Sequence, residues 1–223
     1  LHSTSRRQRQ MCIRDRFRGD IKCKSLQRRT SLSVILPADN IHYLQGTEEI
    51  AEKPYKTLYL LHGLFGSDDI FLANTTIQKF AEDHNIAVVL PSGENSFYVD
   101  QKESHKYYGE FIGRELVEMT RNIFPLSHKK EDTYLAGFSM GGYGAIRNGL
   151  KYHDNFGYIG AISAALLTDD LHNWGEGDDL LSSKSFAQSC FGDLNKVIGS
   201  DMDPKFLIDD LIDCLLYTSP SPR

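Results

Sequence analysis

The chain is short of cysteine and tryptophan and lacks any long apolar run, and each scarcity narrows what it can be. Its four cysteines, at 12, 23, 190 and 214, form no C-x-x-C pair and no metal-ligand spacing, which argues against a zinc or iron–sulfur centre and against a dithiol redox site. Cys12 and Cys214 lie in end segments that read as foreign. Cys23 and Cys190 need not pair, and with no signal peptide visible they point to a reduced, cytoplasmic setting. No stretch approaches the ~18 apolar residues of a membrane span. Positive charge is also in deficit: the formal net charge is −5, of which the first sixteen residues contribute +4 and the last ten +1, leaving −10 on residues 17–213. An acidic body argues against nucleic-acid binding and gives no basic membrane-surface patch. No internal repeat is present, and the length suits one domain with a substantial core.

What the chain does have is Gly137-Phe138-Ser139-Met140-Gly141, a G-x-S-x-G string that reads as a nucleophile elbow, the strained turn that lifts a serine hydroxyl above a strand end. The motif means little without its context. Upstream, residues 132–136 are short, apolar and β-compatible. Downstream, residues 142–152 set Tyr143, Ile146 and Leu150 at helical spacing. Glycines at 137 and 141 fit a turn where side chains would strike neighbouring backbone.

A second string, His62-Gly63-Leu64-Phe65-Gly66-Ser67, follows a strand at 56–61. A glycine-bearing turn there can present backbone N–H groups to the negative charge that develops in acyl transfer. The candidate donors are the amides of Leu64 and Met140. His62 and Gly63 border that site. His62 is tempting as a base, but the elbow fold takes its triad in the order serine, acid, histidine, which makes His62 a brace for its loop.

These two strings, together with Pro91-Ser92-Gly93-Glu94-Asn95-Ser96-Phe97-Tyr98-Val99-Asp100, resemble the putative esterase family of α/β-hydrolases, which includes tributyrin esterase and S-formylglutathione hydrolase (esterase D). The resemblance covers about residues 17–213 and is strongest to the short-chain, tributyrin-type branch. It implies a cofactor-free, metal-free serine carboxylesterase with Ser139 as nucleophile and oxyanion donors at Leu64 and Met140, acting on a small acyl ester.

The pattern along the chain suits one doubly wound, mostly parallel α/β domain. Strands are expected at 30–36, near a sheet edge and ended by Pro37, at 56–61, 86–90, 132–136 and 158–163. Helices are expected at 70–82, 108–123, 142–152 and 205–213. Residues 166–203, rich in Asp, Ser and Gly, read as a helical cap insertion over the cleft. Trp174 within it either lines an acyl pocket or anchors the cap. Asn95 and Tyr98 sit in a loop that either borders the site or, through Phe97 and Tyr98, packs beneath the elbow.

A serine hydroxyl needs a base, and the chain offers few. After Ser139 the histidines are His153, in a polar stretch ending the elbow helix, and His172, beside Asp169 and Asp170. A triad of Ser139, Asp169 and His172 is conceivable but cramped. The resemblance instead implies an acid and a histidine behind two further strands, which are not apparent here. The strings 10–16 and 214–220 resemble translated library-adaptor sequence, and the end segments that hold them, residues 1–16 and 214–223, are set aside as non-native. The expectation is therefore a fragment of an α/β-hydrolase, truncated before its last strands and weakly active or inactive by itself. Two rival readings use the same residues: a non-catalytic ligand-binding relative, and an acyltransferase. Oligomeric state is left open.

Overall fold

The computed structural model describes residues 16–37, 54–169, 171, 175 and 183–218, with backbone alone for 213–218. His172 and Trp174, along with Asp170, lie outside the described residues. The elements in chain order are β1 (Arg16–Cys23), β2 (Arg28–Ile35), β3 (Lys56–Leu61), α1 (Ile70–Asn74), α2 (Ile77–His84), β4 (Ile86–Pro91), a small hairpin of β5 (Asp100–Gln101) and β6 (Lys106–Tyr107), α3 (Tyr108–Glu110), α4 (Leu116–Ile123), β7 (Thr133–Phe138), α5 (Met140–Lys151), β8 (Tyr158–Ile162), α6 (Lys184–Phe191) and α7 (Pro204–Thr218). One π turn, Phe111–Glu115, joins α3 to α4.

Six strands form one sheet in the order β1-β2-β4-β3-β7-β8. The last four in that order run parallel, while β1 and β2 are antiparallel additions. Alternation along β3 divides the core in two. Tyr59 and Leu61 enter the larger cluster with Phe111, Leu116, Met140 and Tyr143 from the helices of one face. Leu58 and Leu60 enter the smaller one with Ile77 and Ala81 of α2. Side chains covered this way each contribute about 1.5–3 kcal/mol, so the central strands are held from both sides. All four parallel strands deliver their carboxyl ends to the same edge of the sheet, where Gly63, Gly93 and Ser139 follow directly.

Several expectations shift. The helix expected over 70–82 is two helices, because Thr75 is extended (φ −138°, ψ 172°) and its Oγ1 accepts the Ile77 N–H at 3.2 Å, an alternative to the helical ladder. On α5 the expected stripe of Tyr143, Ile146 and Leu150 is only partly the buried face. Arg147 and Asn148 are fully buried instead. Arg147 Nη2 donates to Asp201 Oδ2 at 2.6 Å and Asp100 Oδ2 at 3.4 Å, and Nη1 to Asn148 Oδ1 at 2.7 Å. Of the segment read as a cap, the described part packs onto the core through α6: the Phe97 ring lies 5.0 Å from Phe191 and 6.5 Å from Phe186. No described helix is long and apolar enough to cross a membrane.

Candidate active site

Ser139 stands between β7 and α5 as the helix N-cap, with φ 54° and ψ −116°. A non-glycine residue held there costs on the order of 1–3 kcal/mol, so the surroundings must impose it. Three backbone hydrogen bonds do so. The Ser139 N–H donates to Ile162 O at 2.9 Å, and Ser139 O accepts from Ala165 and Tyr143 N–H at 3.0 and 3.1 Å. The flanking glycines are steric necessities. A Cβ on Gly137 would lie 2.1 Å from Gly141 O, and one on Gly141 would lie 2.1 Å from Leu61 O. Strand, turn and helix are thus locked together around a half-buried serine.

The loop after β3 meets this turn. A Cβ placed on Gly63 would sit 3.4 Å from Ser139 Cβ, so the loop that carries the Leu64 amide runs against the serine turn. Among the described residues the Leu64 N–H donates to nothing in the protein. The Met140 N–H is the first of α5 and has no intrahelical carbonyl to reach. The two candidate donors, the amides of Leu64 and Met140, thus have no protein acceptor among the described residues, as N–H groups kept for an oxyanion would.

Three anchors hold this loop. His62, buried at its start, accepts the Gly93 N–H on Nε2 at 2.8 Å. Its Nδ1 therefore carries the proton and donates to Gly63 O at 2.7 Å. Burial holds its pKa below the usual 6.5, offset in part by the Gly63 bond and by Asp68. Phe65, at φ 62°, donates its N–H to Asn95 Oδ1 at 2.8 Å. Asp68 has a fully buried carboxylate, which takes Ser31 Oγ–H at 2.8 Å, Ser33 Oγ–H at 2.7 Å and Arg18 Nε at 3.0 Å.

The other residues singled out from the sequence are distributed differently. Tyr98 is fully buried beneath the elbow and is not on a cleft wall: its hydroxyl donates to His62 O at 3.0 Å, and a Cβ on Gly144 of α5 would meet its ring at 2.5 Å. Asn95 braces the Leu64–Phe65 turn and also lines a cavity of about 330 Å³ with Glu94, Ser96, Phe186 and Cys190. His153 is exposed at the far end of α5, roughly 18 Å of helix away from Ser139. Asp169 is exposed and accepts from Lys205 Nζ. Among the described residues no carboxylate or imidazole hydrogen-bonds Ser139 Oγ, and none forms a cluster able to hold a metal ion.

Asp68 and Phe65 are not singled out from the sequence, although Phe65 lies in the string His62–Ser67 and Asp68 directly follows it. Asp68 looks like one of two surface acids in Asp68-Asp69. Only the pairing of β2 shows that Ser31 and Ser33, alternating with Leu32 and Val34, send hydroxyls to it.

The family model described as "Putative esterase" matches residues 23–201. Over 189 residues the chain is 42% identical to an acetyl esterase of Caldicellulosiruptor saccharolyticus, covering 84% of this chain and 71% of that protein. Among solved structures it is similar to FphF, a fluorophosphonate-binding serine hydrolase of Staphylococcus aureus in a substrate-bound form, with TM-score 0.73 and 31% identity over 89% of this chain and 73% of that one. It is also similar to the S. aureus S-formylglutathione hydrolase FrmB as apoenzyme, with TM-score 0.71 and 31% identity over 89% and 74% of the two chains. With the sheet order and the elbow already established, the chain belongs to the Putative esterase family and is a carboxylic ester hydrolase of the α/β-hydrolase fold.

Proposed function

We propose that Ser139 is the nucleophile of an esterase that removes short acyl groups through an acyl-enzyme. The observation that carries this reading is Ser139 held at φ 54° against Gly63, with the Leu64 and Met140 amides, each next along the chain, lacking acceptors among the described residues. Ser139 Oγ attacks the acyl carbon, and the two N–H groups take the negative charge as it gathers on the carbonyl oxygen. The bond to the alcohol then breaks, its oxygen leaving with a proton. Water repeats the sequence and frees the acid. A base must take the Ser139 proton, and a carboxylate must orient that base. Both are supplied from outside the described residues in this proposal. The acetyl esterase relative favours a small acyl group. Buried, unpaired Cys23 and Cys190 support a reducing, cytoplasmic setting.

The test is hydrolysis of p-nitrophenyl esters from acetate to octanoate by the 223-residue chain and by S139A and H172A. The expectation is slow turnover that S139A removes and that is fastest on acetate or butyrate. Rapid Ser139-dependent turnover lost in H172A would instead make His172 the base and sink the fragment reading. The lack of an imidazole on Ser139 among the described residues favours a second reading, a ligand-binding relative without catalysis. A chain extended to its natural end that resists fluorophosphonate labelling at Ser139 would establish that alternative.

A further inference from the structure

Two consecutive amides at the turn beside Ser139 have opposite fates. The Phe65 N–H is taken by Asn95 Oδ1 at 2.8 Å, whereas the Leu64 N–H is left unengaged among the described residues. Phe65 is held at φ 62° with its side chain exposed, so side-chain packing does not impose this unfavourable backbone. The acceptor comes from a loop that is itself fixed. Asn95 O accepts the Cys190 Sγ–H at 3.1 Å, the Gly93 N–H is bound to His62, and Ser96 Oγ donates to Gly93 O at 2.6 Å while accepting the Tyr98 N–H at 3.1 Å. A rigid side-chain oxygen thus reaches across from the end of β4 to the turn after β3.

We propose that Asn95 is a positioning residue for the oxyanion site. By capturing the Phe65 N–H it holds the turn in its left-handed form and keeps the Leu64 N–H directed at the space beside Ser139. The inference rests on the reading of Ser139 and Leu64 given above, but it concerns a residue that touches neither substrate nor nucleophile. Without the Asn95 oxygen, the turn relaxes towards ordinary backbone angles and the Leu64 N–H leaves its aim. Transition-state stabilisation is then lost while ground-state binding persists.

The experiment follows single-turnover acylation of Ser139 by p-nitrophenyl acetate, read by intact mass over a range of ester concentrations. It uses wild type, N95A, N95D and S139A, with amide hydrogen exchange at Phe65 measured in parallel. In N95A the maximal acylation rate should fall by about 10–100-fold with half-saturation within twofold, part of the ~10²–10³ that a whole oxyanion donor provides. Phe65 exchange should accelerate at least tenfold. N95D keeps an acceptor, so it should restore Phe65 protection and part of the rate, its charge opposing the oxyanion. Unchanged Phe65 exchange in N95A overturns the proposal, as does faster exchange with an acylation rate within twofold of wild type. Wild type that acylates no faster than S139A overturns the site reading itself and this proposal with it. That outcome is told apart from a failure of Asn95 alone by the S139A control.

Discussion

His62 Nε2 accepts the Gly93 N–H at 2.8 Å, and this bond ties the loop after β3 to the loop after β4. Because Nδ1 is committed to Gly63 O at 2.7 Å, both ring nitrogens are spent on backbone. An imidazole in this state has no lone pair to offer a serine, so its place beside the elbow is that of a brace.

The brace makes stability depend on pH. Protonating Nε2 would set two donors against each other, and burial already holds the folded pKa below 6.5. The unfolded chain takes up a proton as pH falls through 6.5, whereas the folded His62 does not. His62 therefore contributes nothing to pH dependence above about pH 7.5 and costs up to about 1.4 kcal/mol per pH unit below 6.5, until its folded pKa is reached. Urea midpoints of wild type and H62Q between pH 8 and 5 should diverge in slope below 6.5. Parallel profiles would show that the Gly93 bond does not restrain the ring.

Strain at Ser139 is separable from its chemistry. Glycine adopts φ 54° without penalty, so S139G should be more stable than S139A by about 1 kcal/mol even after glycine's greater flexibility in the unfolded chain is counted. Both variants should resist acylation equally. Thermal melts give the comparison, and S139G melting below S139A, by the flexibility of glycine alone, would mean the turn stores no strain.

The elbow and its partner loop were legible because they depend on local constraints that leave a residue-type signature. Gly137 and Gly141 can only be glycine, and the strands before them are short apolar runs. That the sheet is mostly parallel, with helices between its strands, follows from the alternation of strand and helix patterns along the chain. β1 was not legible: Arg16–Cys23 carries no apolar run and is exposed along most of its length, so its pairing with β2 comes from the edge it covers and not from its own pattern. The burial of Arg147 was not legible for a similar reason. A helix pattern assigns an arginine to solvent, and its burial requires Asp100 and Asp201, which lie 47 and 54 positions away. Tyr98 stood open between cleft and core, because only the fold reveals the void above Gly93 and Gly144 that its ring fills.

Asp68 is the anchor whose loss should be felt furthest. Removing its carboxylate strands two hydroxyls and a guanidinium that were arranged around it. D68A should cost about 2–4 kcal/mol, and S31A and S33A about 1 kcal/mol each. Denaturant unfolding of the three variants measures this. A D68A loss under 1 kcal/mol would show that the β1–β2 hairpin does not hold the loop.

The far edge of the sheet carries the last prediction. Among the described strands β8 pairs with β7 alone, and Tyr158, Ile159 and Ile162 are 62%, 41% and 59% exposed, with Phe138 of β7 at 46% beside them. Unpaired among the described strands and carrying apolar side chains on both faces, this edge is a template for pairing with another chain. The 223 residues should therefore self-associate as concentration rises, by edge-to-edge contact at β8. A lysine on the strand places an unpaired charge in any such contact, so I162K should raise the concentration at which oligomers form by roughly fivefold or more. Sedimentation velocity on wild type, I162K and a control lysine on the exposed face of α2, F80K, separates edge pairing from general solubility. If F80K suppresses association as well as I162K does, the contact is not at β8.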